Sequence, residues 1–285
     1  MLTEIKKENT SKNKIIRLGT TRNLTKMTDE NNELLPIFKK IKTNFSVALK
    51  KYYAGMMDGD GNIVKENKKR KLHCKLELTE DAALPITELA DIFDLSISKR
   101  VRSGEKYKNT KPSLTVNLAG FKGKFFLMNI YPYMLEKKEE CKASLISAGC
   151  PEHFFEDPFM EYRKFSYKYL AGYTDAEGCI GMYKYKGSYS FHYSLGSTDF
   201  KQLSFILKNL KKNGFKVKIN LQKREKDNYK PFYQLTVIGG HKDRAKLYNK
   251  LLPFTKIKHK IEGMKNTIKY NEISNMINKR KNEME

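Results

Sequence analysis

The sequence predicts an α+β fold made of two copies of one unit, each reading helix, β-hairpin, helix, β-hairpin, helix, an αββαββα order. Three observations carry that expectation. Tyr53-Ala54-Gly55-Met56-Met57-Asp58-Gly59-Asp60-Gly61 and Leu170-Ala171-Gly172-Tyr173-Thr174-Asp175-Ala176-Glu177-Gly178 share Ala-Gly, then an Asp, a small residue, an acidic residue and a Gly. The acidic residues before the last Gly stand at 60 and 177, a period of 177 − 60 = 117 residues. Further on, Lys111-Pro112, Ala119-Gly120 and Tyr131-Pro132-Tyr133 are answered by Lys230-Pro231, Gly239-Gly240 and Leu252-Pro253-Phe254. Finally, the hydrophobic period switches between helical and strand values in the same order in both halves.

Taken in order, residues 1–43 are polar and basic, with Asp29-Glu30-Asn31-Asn32 and Pro36 as breakers, and read as an N-terminal extension. The first repeat spans 44–150. Phe45, Ala48, Leu49, Tyr52, Tyr53 and Met56 recur at helical steps up to the first motif. Strands follow at 62–67 and 72–79, where Leu72, Cys74, Leu76 and Leu78 alternate with His73, Lys75, Glu77 and Thr79. A helix at 84–93, strands around Ile97–Arg102 and Leu114–Leu118, and helix over 121–150 apart from Pro132 complete the unit. The second repeat, 151–262, has a helix at 162–174, strands at 179–186 and 189–197, and a helix at 200–213. Strands at 217–224 and 232–238 and helix from about Lys242 close it, and 263–285 form a helical tail.

The net charge of +24 is the strongest compositional fact, and nucleic acid is the commonest partner that offsets such a charge. A membrane surface fits less well, because the lysines spread over the whole chain instead of one amphipathic helix. No apolar run approaches the roughly 18 residues of a membrane span, and Lys and Glu stand where a signal peptide has its apolar core. Cys74, Cys141, Cys150 and Cys179 form no CxxC pair or zinc spacing and read as buried small hydrophobes. An intracellular, reducing location follows, and the abundance of Lys over Arg, with Asn, Ile and Tyr, is what an AT-rich genome would encode.

A helix ending at a glycine accounts for one motif alone. The acidic residues do not fit, because a helix C-terminus carries partial negative charge and disfavours carboxylates. Two such violations in matched positions imply something positive at that point in function. Duplicated folds pair about a pseudo-twofold axis. Ala54, Gly55 and Gly59 with Ala171, Gly172 and Ala176 are small enough to let two helix backbones meet there. Asp60 and Glu177 would then face each other, and two close carboxylates repel unless a cation lies between them. Hard oxygen ligands without His or Cys favour Mg²⁺ over zinc, and carboxylate-bound divalent metals are a recurrent means of phosphodiester cleavage.

Alternation assigns Leu76, Leu78, Val101, Val116, Leu195, Val217, Ile219, Leu221, Leu235 and Val237 to the core side of the strands. The opposite side carries His73, Lys75, Glu77, Arg100, Arg102, Asn117, His192, Ser194, Lys218, Asn220, Gln222, Arg224, Gln234 and Thr236. Long donors and acceptors on antiparallel strands suit base edges in a major groove.

The doubled motif resembles that of LAGLIDADG homing endonucleases in their single-chain, two-repeat form, over roughly residues 44–262. The resemblance implies two pseudo-twofold-related αββαββα repeats forming an antiparallel saddle on double-stranded DNA, in a monomer with an internal pseudo-dimer. It implies that Asp60 and Glu177 hold Mg²⁺, with Mn²⁺ able to substitute, and that the Gly59 and Ala176 carbonyls are auxiliary ligands. Asp58 and Asp175 would hold the turn. A basic residue near the active site, after a Pro-aromatic step, maps to Lys137 after Pro132-Tyr133 and to Lys258 after Pro253-Phe254, both five residues past the proline. The activity implied is site-specific cutting of both DNA strands. The same fold also serves intron maturases, for which intron RNA is a partner, and catalytically silent DNA-binding regulators.

Overall fold

The computed structural model of the chain describes residues 41, 43–65, 72–101, 110–156, 165–185, 188–222 and 230–284. Arg102, Arg224, the Lys68–Lys71 turn and nearly all of the N-terminal extension lie outside these residues. In the first repeat, α1 (Val47–Gly59) leads into β1 (Gly61–Lys65) and β2 (Leu72–Thr79), then α2 (Ala83–Phe93), β3 (Ile97–Arg100) and β4 (Ser113–Ala119). The helices α3 (Gly120–Ile130) and α4 (Lys138–Ser147) finish it. The second repeat runs α5 (Tyr167–Glu177), β5 (Gly178–Tyr185), β6 (Ser188–Ser197), α6 (Phe200–Lys212), β7 (Val217–Gln222), β8 (Phe232–Val237) and α7 (Gly240–Leu251). A final helix, α8 (Lys258–Met284), follows. Each repeat holds one four-stranded antiparallel sheet, ordered β1-β2-β4-β3 and β5-β6-β8-β7, so the duplication extends to topology.

Local chemistry starts the elements where the sequence places them. Ser46 Oγ accepts from Leu49 N at the head of α1, and Ser166 Oγ accepts from Lys168 N at the head of α5. Asp199 does the same for α6, accepting from the backbone N–H groups of Lys201 and Gln202. The region expected to be helical over 121–150 apart from Pro132 breaks at that proline, over a longer stretch than one residue. Ile130 is followed by a 3₁₀ turn, Tyr131–Tyr133, because Pro132 cannot supply the amide that would continue the helix. Four extended or bent residues then precede α4.

Ile41, at the end of the expected extension, and Phe45 are both buried in the core. Likewise the boundary expected at 262 falls inside α8, whose Met264 and Thr267 are buried and whose Gly263 approaches Ile180 of β5. Among the described residues no helix is long and apolar enough to cross a membrane.

The two repeats meet along α1 and α5. A Cβ added at Gly172 would overlap the Tyr52 carbonyl oxygen and lie 2.8 Å from its carbon. One added at Gly55 would overlap the Tyr169 carbonyl oxygen and lie 2.7 Å from Tyr173 N. The relation is reciprocal, as a pseudo-twofold axis requires. Near the helix ends a Cβ at Gly59 would overlap the Ala176 methyl and stand 3.0 Å from Glu177 Cγ. The glycines that follow serve a different purpose. Gly178 is extended (φ −79°, ψ 136°), and a side chain there would strike Thr174; Gly61 stands in the same relation to Met57. They let each first strand fold back over the last turn of its helix.

Behind this seam the cores differ. In the first repeat Phe45, Tyr53, Phe93 and Phe126 stack at centroid distances of 5.3–6.3 Å. In the second, buried Tyr193 and Tyr248 are satisfied by Thr174 Oγ1 (2.9 Å) and the His192 carbonyl (3.0 Å). The strand alternation departs from expectation in both directions: Ser194 (2% exposed) and Thr115, expected on the polar side, are buried, whereas Val101 is 68% exposed and Leu221 61% exposed. Val101 follows the edge strand β3 and Leu221 lies near the outer end of edge strand β7, where the apolar side is left uncovered.

Replacing Gly172 by Ala tests the seam. In an open helix this change stabilises by up to about 1 kcal/mol. Here the added methyl meets backbone, which cannot swing aside, and a net loss of about 2 kcal/mol or more is expected in urea unfolding. An unchanged midpoint would mean that the helices do not touch.

Candidate metal centre and nucleic-acid interface

Asp60 follows the last residue of α1 in an αR conformation (φ −82°, ψ −4°), and Glu177 is the last residue of α5. Both side chains are accessible, and both border a recess at the paired helix ends, where a Cβ on Gly59 would stand 3.0 Å from Glu177 Cγ. Burial in that recess raises both carboxyl pKa values; the charge of Asp60 raises Glu177 further, while Lys137 and Lys260 pull both back. Among the described residues no three His, Cys, Asp or Glu side chains converge, so a cation here relies on two carboxylates, backbone carbonyls and water.

The other motif acids are structural. Asp58 and Asp175 are each 1% exposed. Asp58 Oδ2 accepts from Leu135 N (2.7 Å) and Tyr169 OH (2.7 Å), and its Oδ1 accepts from Lys137 N (2.9 Å). Asp175 Oδ2 accepts from Lys256 N (2.7 Å) and Tyr52 OH (2.6 Å). Each tyrosine therefore crosses the seam to the other repeat's aspartate. Each aspartate in turn holds the segment that delivers a lysine to the recess.

Lys137 Nζ donates to the carbonyls of Met57 (3.0 Å), Gly59 (2.8 Å) and Gly61 (2.6 Å). In the second repeat the corresponding ammonium is that of Lys260, not Lys258. Lys260 is buried and donates to Thr174 O (2.7 Å) and Asp175 O. Lys258 is exposed at the first position of α8. Counting five residues from the proline fails because α8 starts at Lys258, and the ammonium that reaches the recess lies about one helical turn beyond the Asp175-bound Lys256, at Lys260. Lys256 is also diverted: its ammonium pairs with Glu88 of the first repeat (2.6 Å) and lies over the Tyr52 ring (5.2 Å).

The strand register places the interface candidates in rows. On the first sheet Lys75 stands opposite Asn117 on one side and Asn62 on the other, His73 opposite Ala119, and Arg100 opposite Ser113. Lys75 is ion-paired to Glu77, which also accepts from Ser113 Oγ (2.7 Å). On the second sheet Ser194 aligns with Thr236 and Lys218, and Gln234 with Asn220. A hydrogen-bonded chain runs His192 Nε2···Ser194 Oγ (2.9 Å), Gln234 Nε2 to Ser194 Oγ (3.1 Å) and Gln222 Nε2 to Gln234 Oε1 (2.9 Å). Burial, then the nearby Arg244 charge, lowers the His192 pKa and favours the neutral ring. Cys179 corrects its expected burial: it is exposed, opposite Ser194 on this same polar side. Asn62 lies two residues from Asp60 and Cys179 two from Glu177, so each polar face begins beside a carboxylate.

No protein-family model matches the sequence, and no curated protein matches it. Solved structures do. A LAGLIDADG meganuclease, I-AabMI bound to uncleaved DNA, superposes with a TM-score of 0.53 at 14% identity over 80% of this chain and 92% of that one. The fold is that of a LAGLIDADG meganuclease. I-GzeII in complex with its DNA target (TM-score 0.48, 13% identity, 81% of this chain and 91% of that) and I-WcaI bound to its recognition sequence (0.45, 17%, 83% and 96%) are also similar. Two signals of this arrangement lie in the sequence beyond the motifs. Tyr52 and Tyr169 repeat at the motif period, 169 − 52 = 117, and Lys260 extends the run Lys256, Lys258 by one more alternate position.

Glu136 lies between the two residues whose amides hold Asp58 and accepts from Ser197 Oγ of the second repeat (3.1 Å). Burial, with the charges of Asp58 and Asp199, pushes its carboxyl up to about 7. A raised carboxyl stabilises fully below its unfolded value, 4.5, and that contribution is lost as pH rises through about 7. Glu136→Gln should therefore gain on the wild type by roughly 1 kcal/mol between pH 5 and pH 8 in urea unfolding, screening of this half-exposed group included. A pH-independent difference would place Glu136 in its ordinary range.

Proposed function

We propose that the chain is a monomeric, site-specific double-strand DNA endonuclease that hydrolyses phosphodiesters with divalent cations. The metal is Mg²⁺, replaceable by Mn²⁺, held by Asp60 and Glu177. One observation supports the reading: an accessible carboxylate from each repeat stands at the end of one of two matched helices that pack backbone to backbone, near enough that the Asp60 charge raises the Glu177 pKa. The donors suit a hard cation, being carboxylate and carbonyl oxygens. Two lysine ammoniums already rest on carbonyls of the same helix ends, so the recess favours positive charge.

A bound divalent cation activates water and stabilises both oxygens of an in-line displacement. Asp60 and Glu177 would hold it, and the Gly59 and Ala176 carbonyls would be further oxygen donors. Lys137 and Lys260 set positive charge beside the recess, where phosphoryl charge grows. The polar strand rows, with His73, Lys75, Arg100 and Asn117 on one sheet and His192, Lys218, Asn220, Gln222 and Gln234 on the other, read base edges of the duplex, while buried Ser194 braces His192 and Gln234 from below. The net charge of +24 and the DNA-bound state of similarly folded meganucleases support duplex DNA as the partner. Neither an RNA-splicing role nor a silent regulator gains an observation of its own.

Cleavage selection from a randomised DNA library with Mg²⁺, and with Ca²⁺ as a binding-only control, identifies the target. On that duplex Asp60→Asn and Glu177→Gln each lower cutting by about 10³-fold or more and keep binding; a variant that still cuts normally removes the assignment. Affinity falls by roughly 10³ or more between about 50 and 200 mM salt if about six phosphates are neutralised. A flat response would take the duplex off these sheets.

A further inference from the structure

The two ends of the recess are not equivalent, although the sequence repeats. By the 117-residue period Met57, Gly59 and Gly61 correspond to Thr174, Ala176 and Gly178. An ammonium has three N–H donors, and all three of Lys137 are committed, to Met57, Gly59 and Gly61. Lys260 donates to Thr174 and Asp175 and stops short of Ala176. The Gly59 carbonyl is thus already engaged by a fixed positive charge at 2.8 Å, while Lys260 leaves its counterpart on Ala176 open.

The backbone explains the difference. Lys137 N is itself pinned by Asp58, in a bend that precedes α4 and turns the side chain directly under the end of α1. Lys260 lies within the first turn of α8, four residues beyond the Asp175-bound Lys256 N, and enters from further back. A cation bound at Gly59 O shares its ligand with an ammonium; one bound at Ala176 O does not.

We infer that Lys137 is a resident cation guarding the first repeat's half of the centre, so that the two halves take up divalent metal in sequence, the Ala176 side before the Gly59 side. The inference rests on the metal-centre reading proposed above and adds an order to it. Metal at the second position requires the Lys137 ammonium to leave its three carbonyls.

Calorimetric titration of Ca²⁺ into the full chain, with ¹⁵N-lysine NMR of the same sample, tests this. Two steps differing by about tenfold or more in affinity are expected, with the hydrogen-bonded Lys137 ammonium signal changing only across the weaker one. Lys137→Met brings the two steps to within about threefold, whereas Lys260→Met leaves them apart. Equal steps in the wild type, or a Lys137 signal unmoved at saturation, overturn the inference and leave the metal centre standing. Absence of any Ca²⁺ uptake overturns both. The NMR readout needs no variant, so a misfolded Lys137→Met does not block the decision.

Discussion

The contact of two helix backbones at Gly55 and Gly172 sets the terms for everything else in this molecule. Two α-helices packed through ordinary side chains run 8–10 Å apart. Here each glycine takes a carbonyl of the opposite helix against its Cα, which leaves no room for a methyl group. At that separation the residues around the seam have no freedom to choose neighbours. Asp58 and Asp175 are driven into the interior, and the acidic residues two positions further on, Asp60 and Glu177, are left at the exposed helix ends.

Burying two carboxylates is costly unless each is fully hydrogen-bonded. The structure meets most of that cost with tyrosines and backbone amides, both tyrosines coming from the opposite repeat. Asp175 Oδ1 is left without a hydrogen-bond partner among the described residues. The same bonds therefore hold the buried acids and tie the halves together. The helix ends raise a second electrostatic problem, since carboxylates sit beside carbonyls that already carry partial negative charge. Lys137 and Lys260 answer it by donating to those carbonyls. What looked in the sequence like a violation of helix-end preference is a charge arrangement completed from elsewhere in the chain.

The strands, the duplication and the place of the two accessible acids were readable because they depend on local period and on residue size. Alternation in Leu72–Thr79 is buried-exposed in the structure as it is apolar-polar in the sequence. Readability ended where tertiary reach decides. Nothing local tells Lys258 from Lys260, because the choice turns on whether a bend or a helix follows the Asp-bound amide. Val101 and Leu221 have the right parity for a core but lie at the outer ends of edge strands, and parity carries no information about how far a covering helix extends. Cys179 followed the usual preference of its residue type in the reading and the register of its strand in the fold. The crossed tyrosines were visible as a repeat at 117 residues, but a repeated aromatic near a repeated motif is equally well a packing residue; only the geometry distinguishes them.

The crossed bonds have a consequence for inheritance and for engineering. Each aspartate is solvated by protein from the other half, so neither half carries a complete turn of its own. A hybrid that joins the first repeat of this chain to a second repeat of other origin keeps its acid pair and its glycines but inherits a foreign partner for Tyr52 and for Asp58. Recombination between such chains is then limited less by the exposed strand faces than by four interior residues, which have to travel as two matched pairs.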